Sequence, residues 1–373
     1  MTKWFRQIPF SADHGHEWSE RWEYRPNGIT ERSFEILVKA GKPLDVLSLK
    51  GCDLDEVRNY ADFLEKTAKK IYGSSLDAPQ LRGCPICGGN LDNAAIELTV
   101  FAVSYMRCSL CGHVCIPAHP AQEVLDDLFT ASESHSYVYI DRRTLETRMT
   151  QIVLPKLEWC REIFRRRSGH MPESIVDVGA GGGHFLAGAL RCGLKIEGFE
   201  FSGTSRSFAR EAFGVHLRED DFLTASCGPA DMVTYWGLLE YVLRPRDFIA
   251  AARRRLTPKG MLVIEVPRVD SLGTLVQAMD CAVVARHMDP TTHVNGFTDE
   301  SICTMLVEEG FAPVAAWYFG MDAYEVCVQI ALRGGDVGLF ATLADFIPVV
   351  QRALDRGRQC DDIIIAAVPM ENS

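Results

Sequence analysis

The sequence predicts an α/β protein built on a doubly wound, mostly parallel sheet, and three observations carry that prediction. First, Ser174-Ile-Val-Asp177-Val-Gly179-Ala180-Gly181-Gly182-Gly183-His184 reads as a short buried strand, a glycine turn and the opening of a helix. Second, strand-like and helix-like segments alternate from there to Pro267, which implies right-handed crossovers and a ligand outside the carboxyl ends of the strands. Third, Cys84-x-x-Cys87 and Cys108-x-x-Cys111, with 20 residues between them, mark a small module ahead of the sheet.

Taken in order, residues 1–80 form an N-terminal extension expected to be partly helical. Residues 1–28 show no periodicity, and Phe34 to Ala40 reads as either helix or strand. Asp53 to Tyr72 reads as a helix, because Leu54, Val57, Tyr60, Ala61, Leu64 and Ala68 repeat near 3.6 and Asp53 can cap it. Glycine, serine, aspartate and proline from Gly73 to Gly83 read as a linker. In residues 81–120 the four cysteines can close a tetrahedral zinc ribbon. Four thiolates leave no position for water, so this zinc is expected to be structural. Ile96 to Met106 supplies the β-ribbon, and His113 and Cys115 are spare ligands.

Residues 121–373 make the α/β domain. Ala121 to Phe129 and Leu145 to Arg167 read as helices before its first strand, and Lys195 to Phe201 as its second strand. Beyond Pro267, Thr298 or Asp299 caps a helix that ends at Gly310. Ala312 to Phe319 reads as a strand, as do Val326 to Leu332 and Asp362 to Val368, with an inserted helix near 339–356.

Composition narrows the function. With 39 Lys plus Arg against 50 Asp plus Glu, the net charge is −11, which argues against a nucleic-acid partner, since phosphate neutralisation needs surplus cations. No apolar run approaches the length of a membrane span. Thirteen cysteines without a secretory leader point to a reducing, cytoplasmic setting.

The glycine turn departs from the dinucleotide pattern G-x-G-x-x-G, because His184 stands at the last position. An acid at the strand end, Asp177, would repel a pyrophosphate but can receive an ammonium group. The pattern resembles motif I of class I S-adenosylmethionine (SAM) methyltransferases. Glu200 lies 23 residues on, where such units bind ribose hydroxyls. Asp221-Phe222 matches the family's adenine-binding acid and its apolar neighbour. Asp231 to Pro245 resembles the fourth strand and its exit loop, and Leu256-Thr-Pro-Lys-Gly the turn before the fifth. The resemblance implies a seven-stranded Rossmann-like sheet. It also implies a SAM site formed by Asp177, Gly179, Ala180, Gly181, Gly183, Glu200, Phe201, Asp221, Phe222 and Trp236, with Tyr137 folding over it.

A cysteine module before such a domain is similar to sugar C-methyltransferases of antibiotic pathways. The chain departs from them in its first 80 residues, in lacking their C-terminal sugar-binding half, and in carrying Glu240-Tyr241 where they carry Glu-His. A small-molecule acceptor is therefore expected, with carbon or oxygen as nucleophile, and a homodimer is compatible with the inserted helix. His293, in His-x-Asn-x-Phe-Thr, is the candidate base or substrate orienter, since histidine titrates near neutrality. Tyr241 is its hydrogen-bond partner, and Glu240 and His287 complete the candidate catalytic set. His287, Asp289 and His293 could alternatively make a metal facial triad. An RNA methyltransferase and a non-catalytic SAM-fold interaction protein are the rival readings.

Overall fold

The computed structural model describes residues 3–7, 16–42, 44–50, 54–73, 81–118, 140, 142–279, 288–335 and 337–371. The strands are β1 (Trp4–Gln7), β2 (Glu17–Tyr24), β3 (Arg32–Ala40), β4 (Ala95–Val100), β5 (Val103–Arg107), β6 (Val114–Cys115), β7 (Ser174–Val178), β8 (Lys195–Phe199), β9 (Ala230–Trp236), β10 (Leu256–Pro267), β11 (Asn295–Gly296), β12 (Phe311–Phe319) and β13 (Asp362–Pro369). The helices are α1 (Val46–Lys50), α2 (Leu54–Tyr72), α3 (Leu145–Arg148), α4 (Leu154–Ser168), α5 (His184–Arg191), α6 (Gly203–Phe213), α7 (Pro245–Arg255), α8 (Leu272–Met279), α9 (Asp299–Glu308), α10 (Asp322–Gly334), α11 (Val337–Ala344) and α12 (Ile347–Arg356). A π-turn, Met149–Val153, joins α3 to α4.

Among the described residues the main sheet has nine strands in the order β1-β2-β3-β12-β13-β10-β9-β7-β8. The strands β8, β7, β9 and β10 are parallel, and β13 runs antiparallel between β10 and β12. Both faces are covered. Leu157, Phe164 and Leu186, from α4 and α5, pack on the face that carries Ile175, Met232 and Val263. Ile249, Ile302 and Leu306, from α7 and α9, pack on the face that carries Val176, Val233 and Ile264. A strand buried on two sides must be largely apolar, which explains Ile175, Val176 and Val178 and the run Met-Leu-Val-Ile, with Asp177 and Glu265 as the acidic exceptions.

The expected count of seven strands is corrected in two places. After β8 the chain returns to the sheet only as a single bridge, Phe199 to Arg218, because Glu219, Asp220 and Asp221 that follow are exposed charges. At the opposite edge the N-terminal extension, partly helical through α1 and α2 as expected, also adds β1, β2 and β3, with β3 parallel to β12. In β3, Phe34, Ile36, Val38 and Ala40 alternate inward, which settles the helix-or-strand ambiguity. Val326 to Leu332, expected as a strand, is helical within α10. Its apolar residues Ala323, Cys327, Val328, Ala331 and Leu332 repeat by four and bury one helix face. The expected helix at 339–356 is two helices, α11 and α12.

The second sheet, β11-β6-β5-β4, belongs to the cysteine module except for β11, which comes from the α/β domain. Leu64 and Ala68 of α2 pack on its Leu98, Val100, Tyr105 and Val114. The expected helix over Ala121 to Phe129 lies outside the described residues.

Candidate functional site

The turn after β7 takes its shape from three glycines in the left-handed region: Gly179 (φ 69°), Gly181 (φ 52°) and Gly183 (φ 73°). At Gly183 a side chain is also excluded by packing, since a Cβ there would lie 2.8 Å from the Cβ of Ala209. At Gly181 a Cβ would meet nothing within 4 Å, so the turn has open space above it for a ligand. The amides of Gly179 and Ala180 both donate to the Phe199 carbonyl (2.9 and 3.0 Å), which joins the turn to the end of β8. His184 ends the turn beneath the surface, its ring against Phe208 and Phe213. Burial, with Arg148 nearby, lowers its pKa to about 4, so the ring is neutral packing.

Two acids flank the turn. Asp177 is fully buried; its Oδ1 accepts from Thr234 Oγ1 at 2.6 Å, and its Oδ2 has no partner among the described residues. Burial, with the Glu200 charge adding to it against the opposing Thr234 bond, raises its pKa to about 7. Such an orphaned buried oxygen suits the ammonium end of an amino-acid ligand. Glu200 accepts from the amide of Gly181 (2.8 Å) and the amide of Ser202 (2.8 Å), so the acid at the end of the second strand does reach the turn. Its pKa is raised by burial, and those two amides oppose the rise.

Around this pair, the Phe201 ring is exposed, as is Asp221, whose Oδ1 accepts from the Leu223 amide (2.9 Å). Phe222 is packed into the core between Phe199, Tyr235 and Phe248, under the guanidinium of Arg255. Its ring therefore offers no open face, and Phe201 is the aromatic that does. Tyr137 lies outside the described residues.

On the far side of the β9 end, Trp236 packs on Phe185 (4.6 Å between centroids), and the Lys156 ammonium sits 4.8 Å from the Trp236 ring centroid. Lys156 is ion-paired with Glu265. Lys42, just beyond β3, stands 4.6 Å from the Phe319 ring centroid, its pKa lowered to about 7 by burial and then by Lys156. No motif announces these residues; the signal in the sequence is only an acid, Glu265, inside an apolar strand.

The candidate catalytic residues come together in part. Tyr241 and His293 are adjacent, with ring centroids 4.9 Å apart. The amides of Val294 and Asn295 donate to the Glu240 carbonyl (2.9 and 3.1 Å), so the loop after β9 and the loop carrying His293 are tied together. The Glu240 side chain is buried, its Oε2 has no partner among the described residues, and burial with the Glu265 charge pushes its pKa up to about 8. His287 lies outside the described residues. Both carboxylate oxygens of Asp289 accept from the Thr291 hydroxyl (2.8 Å each), and one also from Thr292 (3.1 Å), so Asp289 shapes its own turn. Sequence reasoning also missed the role of Asn295, whose Nδ2 donates to the carbonyls of Leu239 (3.1 Å) and Val242 (2.7 Å).

Among the described residues, the group with metal-ligand spacing is Cys84, Cys87, Cys108 and Cys111, whose sulfurs lie within 4.8 Å of one another. The Cys84–Cys111 and Cys87–Cys108 separations are both 3.6 Å. A tetrahedron with metal–sulfur bonds of about 2.3 Å has an edge of about 3.8 Å, whereas a disulfide needs about 2.05 Å. The four free thiols thus fit a metal ion. Each knuckle closes the same way, with the amide of Gly88 or Gly112 on the carbonyl of Cys84 or Cys108 (2.9 Å each) and the glycine at positive φ. No helix among the described residues is long and apolar enough to cross a membrane.

Comparison with known proteins places this geometry. Residues 153–316 match the model of a family described as a methyltransferase domain. The mitochondrial ubiquinone biosynthesis O-methyltransferase of Schizosaccharomyces pombe is 26% identical over 151 residues, which cover 37% of this chain and 54% of that protein. The Thiobacillus denitrificans ubiquinone biosynthesis O-methyltransferase is 24% identical over 133 residues, 32% of this chain and 56% of that one. The chain thus spans about half the length of these curated relatives. Among solved structures, the magnesium protoporphyrin IX methyltransferase of Synechocystis, with bound S-adenosylhomocysteine, aligns at a TM-score of 0.45 and 13% identity, covering 66% of this chain and 99% of that one. Over residues 153–316, somewhat under half of its length, the chain is thus similar to methyltransferase domains.

Proposed function

We propose that the protein transfers a methyl group from SAM to a carbon or oxygen of a small-molecule acceptor, in natural-product or sugar biosynthesis. The observation that carries this reading is the pair Asp177 and Glu200 on either side of a glycine turn with open space above Gly181. Bound there, SAM supplies a methyl on a sulfonium whose departure needs no proton. Asp177 Oδ2 receives the ammonium, Glu200 receives the ribose hydroxyls, and Phe201 with Asp221 meets the adenine. Gly179, Ala180, Gly181 and Gly183 form the floor.

The protein's remaining task is to hold the acceptor close, keep water away and take up its proton. Tyr241 and His293 lie side by side where the loops after β9 and before β11 meet, and His293 is the residue we assign as proton acceptor. Glu240, with its pKa near 8, carries its proton at neutral pH and acts as a hydrogen-bond donor, not a base. The apolar rings of Trp236 and Phe319, with Lys156 and Lys42 beside them, wall the other side of the β9 end. The cysteine module holds Zn2+ in a structural role.

Isothermal titration with S-adenosylhomocysteine and, separately, with NAD tests the reading. Binding of the first and not the second is expected; an Asp177→Ala variant loses it. A protein that binds neither, or only NAD, ends the proposal.

A further inference from the structure

The cysteine module and the loop carrying His293 share one sheet. Strand β6, which begins three residues after Cys111, pairs antiparallel with β11 through Cys115–Asn295 and Val114–Gly296. The Ile116 amide extends the pairing to the Val294 carbonyl at 3.1 Å. Tyr105 of β5, fully buried, donates its hydroxyl hydrogen to the His293 carbonyl at 2.8 Å. His113, two residues after Cys111, places Nε2 3.1 Å from Asn295 Oδ1 and its ring 5.0 Å from that of Phe297. Because Asn295 Nδ2 donates to two carbonyls, its Oδ1 must be the acceptor, and His113 therefore carries the hydrogen on Nε2.

Asn295 is the hub. Its side chain takes one bond from the module and gives two to the carbonyls of Leu239 and Val242, and its amide gives one to Glu240. A continuous path of buried and partly buried hydrogen bonds thus runs from the residues after Cys111, through His113 and Asn295, into the segment 239–242. The hydrogen bonds of the glycine turn and Glu200 stay apart from this path, ending on Ala187, Phe199, Ser202, Arg206, Arg218 and one another.

We propose that the metal-loaded cysteine module is a brace for the catalytic loops, with Asn295, His113 and Tyr105 as positioning residues. The module then sets where His293 and Tyr241 stand without touching the cofactor floor. Without metal, four thiols close together have no common bond, and β5 and β6 lose the anchor that holds them against β11. The name "catalytic loops" rests on the reading of His293 and Tyr241 given above; the mechanical coupling does not.

The test uses the full-length protein and amide hydrogen exchange, with S-adenosylhomocysteine titration run in parallel. Chelating the metal is expected to speed exchange at 293–297 and 238–242 about tenfold or more, to leave 175–200 within about twofold, and to be reversed by added Zn2+. S-adenosylhomocysteine should bind within about threefold of its original affinity. Tyr105→Phe and Asn295→Ala, shown by metal analysis to keep their zinc, should reproduce the local rise and move the His293 ring resonances, while Asn295→Gln restores part of the protection. Unchanged exchange in the two loops, either on chelation or in both variants, overturns the brace. If chelation speeds exchange everywhere, the two metal-loaded variants decide. Failure of the native protein to bind S-adenosylhomocysteine counts against methyl transfer and leaves the coupling result intact.

Discussion

Replacing Glu240 with glutamine should flatten the dependence of stability on pH. The side chain is 3% exposed, one oxygen lacks a partner among the described residues, and burial with the Glu265 charge moves the carboxyl from an ordinary 4.5 to about 8. A raised pKa means that the native protein keeps a proton which the unfolded chain releases. Below about 4.5 both states are protonated, and above about 8 both are ionised; between these limits stability falls as pH rises. Each unit costs up to ~1.4 kcal/mol, so the whole window holds at most about 5 kcal/mol. Glutamine cannot ionise, and the cost of its buried amide is the same at every pH. Urea unfolding of both proteins at pH 5, 6, 7 and 7.5 reads the difference. The variant should gain about 3 kcal/mol on the wild type between pH 5 and 7.5, and Asp177, which acts in the same direction, cancels in the comparison. A difference that stays constant with pH would refute the claim that Glu240 is protonated in the native protein.

Four other outcomes are expected. Asp177→Ala should weaken S-adenosylhomocysteine binding at least about tenfold by calorimetry without lowering the melting temperature, because the lost carboxylate makes one protein hydrogen bond and is costly to bury. Gly183→Ala combines a positive φ with a 2.8 Å clash against Ala209 and should cost about 1–3 kcal/mol in urea unfolding. Elemental analysis should find about one zinc per chain, lost in Cys111→Ser. The pH dependence of Lys42 acylation, read by peptide mass mapping, should have its midpoint near 7, since burial and then Lys156 lower its pKa to about 7.

The glycine turn was legible because its shape is set locally. A strand, three spaced glycines and an acid at a fixed offset are enough to single out Glu200, and its carboxylate accepts from the Gly181 amide of the turn. The cysteine cage was legible for the same reason. The N-terminal strands were not. Trp18, Trp22 and Tyr24 do alternate, but Glu20 stands in the same phase and is buried, which breaks the apolar pattern. Its carboxylate is satisfied by the indoles of Trp18 and Trp22 and by Arg358, a partner 338 residues away. Val326 to Leu332 misled because β-branched and apolar residues in a short run suit either element, and only the wider window from Asp322 shows the helical repeat. Lys156 with Glu265, and Asn295 with His113, are pairings in space between distant segments, and nothing in the local sequence announces them.

The place of β13 has a consequence for how the molecule is assembled. Asp362–Pro369 fills the gap between β10 and β12, although it follows β10 by about a hundred residues. Until it arrives, two long apolar strands present bare edges towards each other, each an invitation to pair with another molecule. The first strands are equally late to settle, since β3 must wait for β12 and the Trp4 indole for Thr304, 300 positions on. The contacts that join β3, β12, β13 and β10 are therefore remote in sequence, a topology that makes folding slow and leaves incomplete chains prone to aggregate.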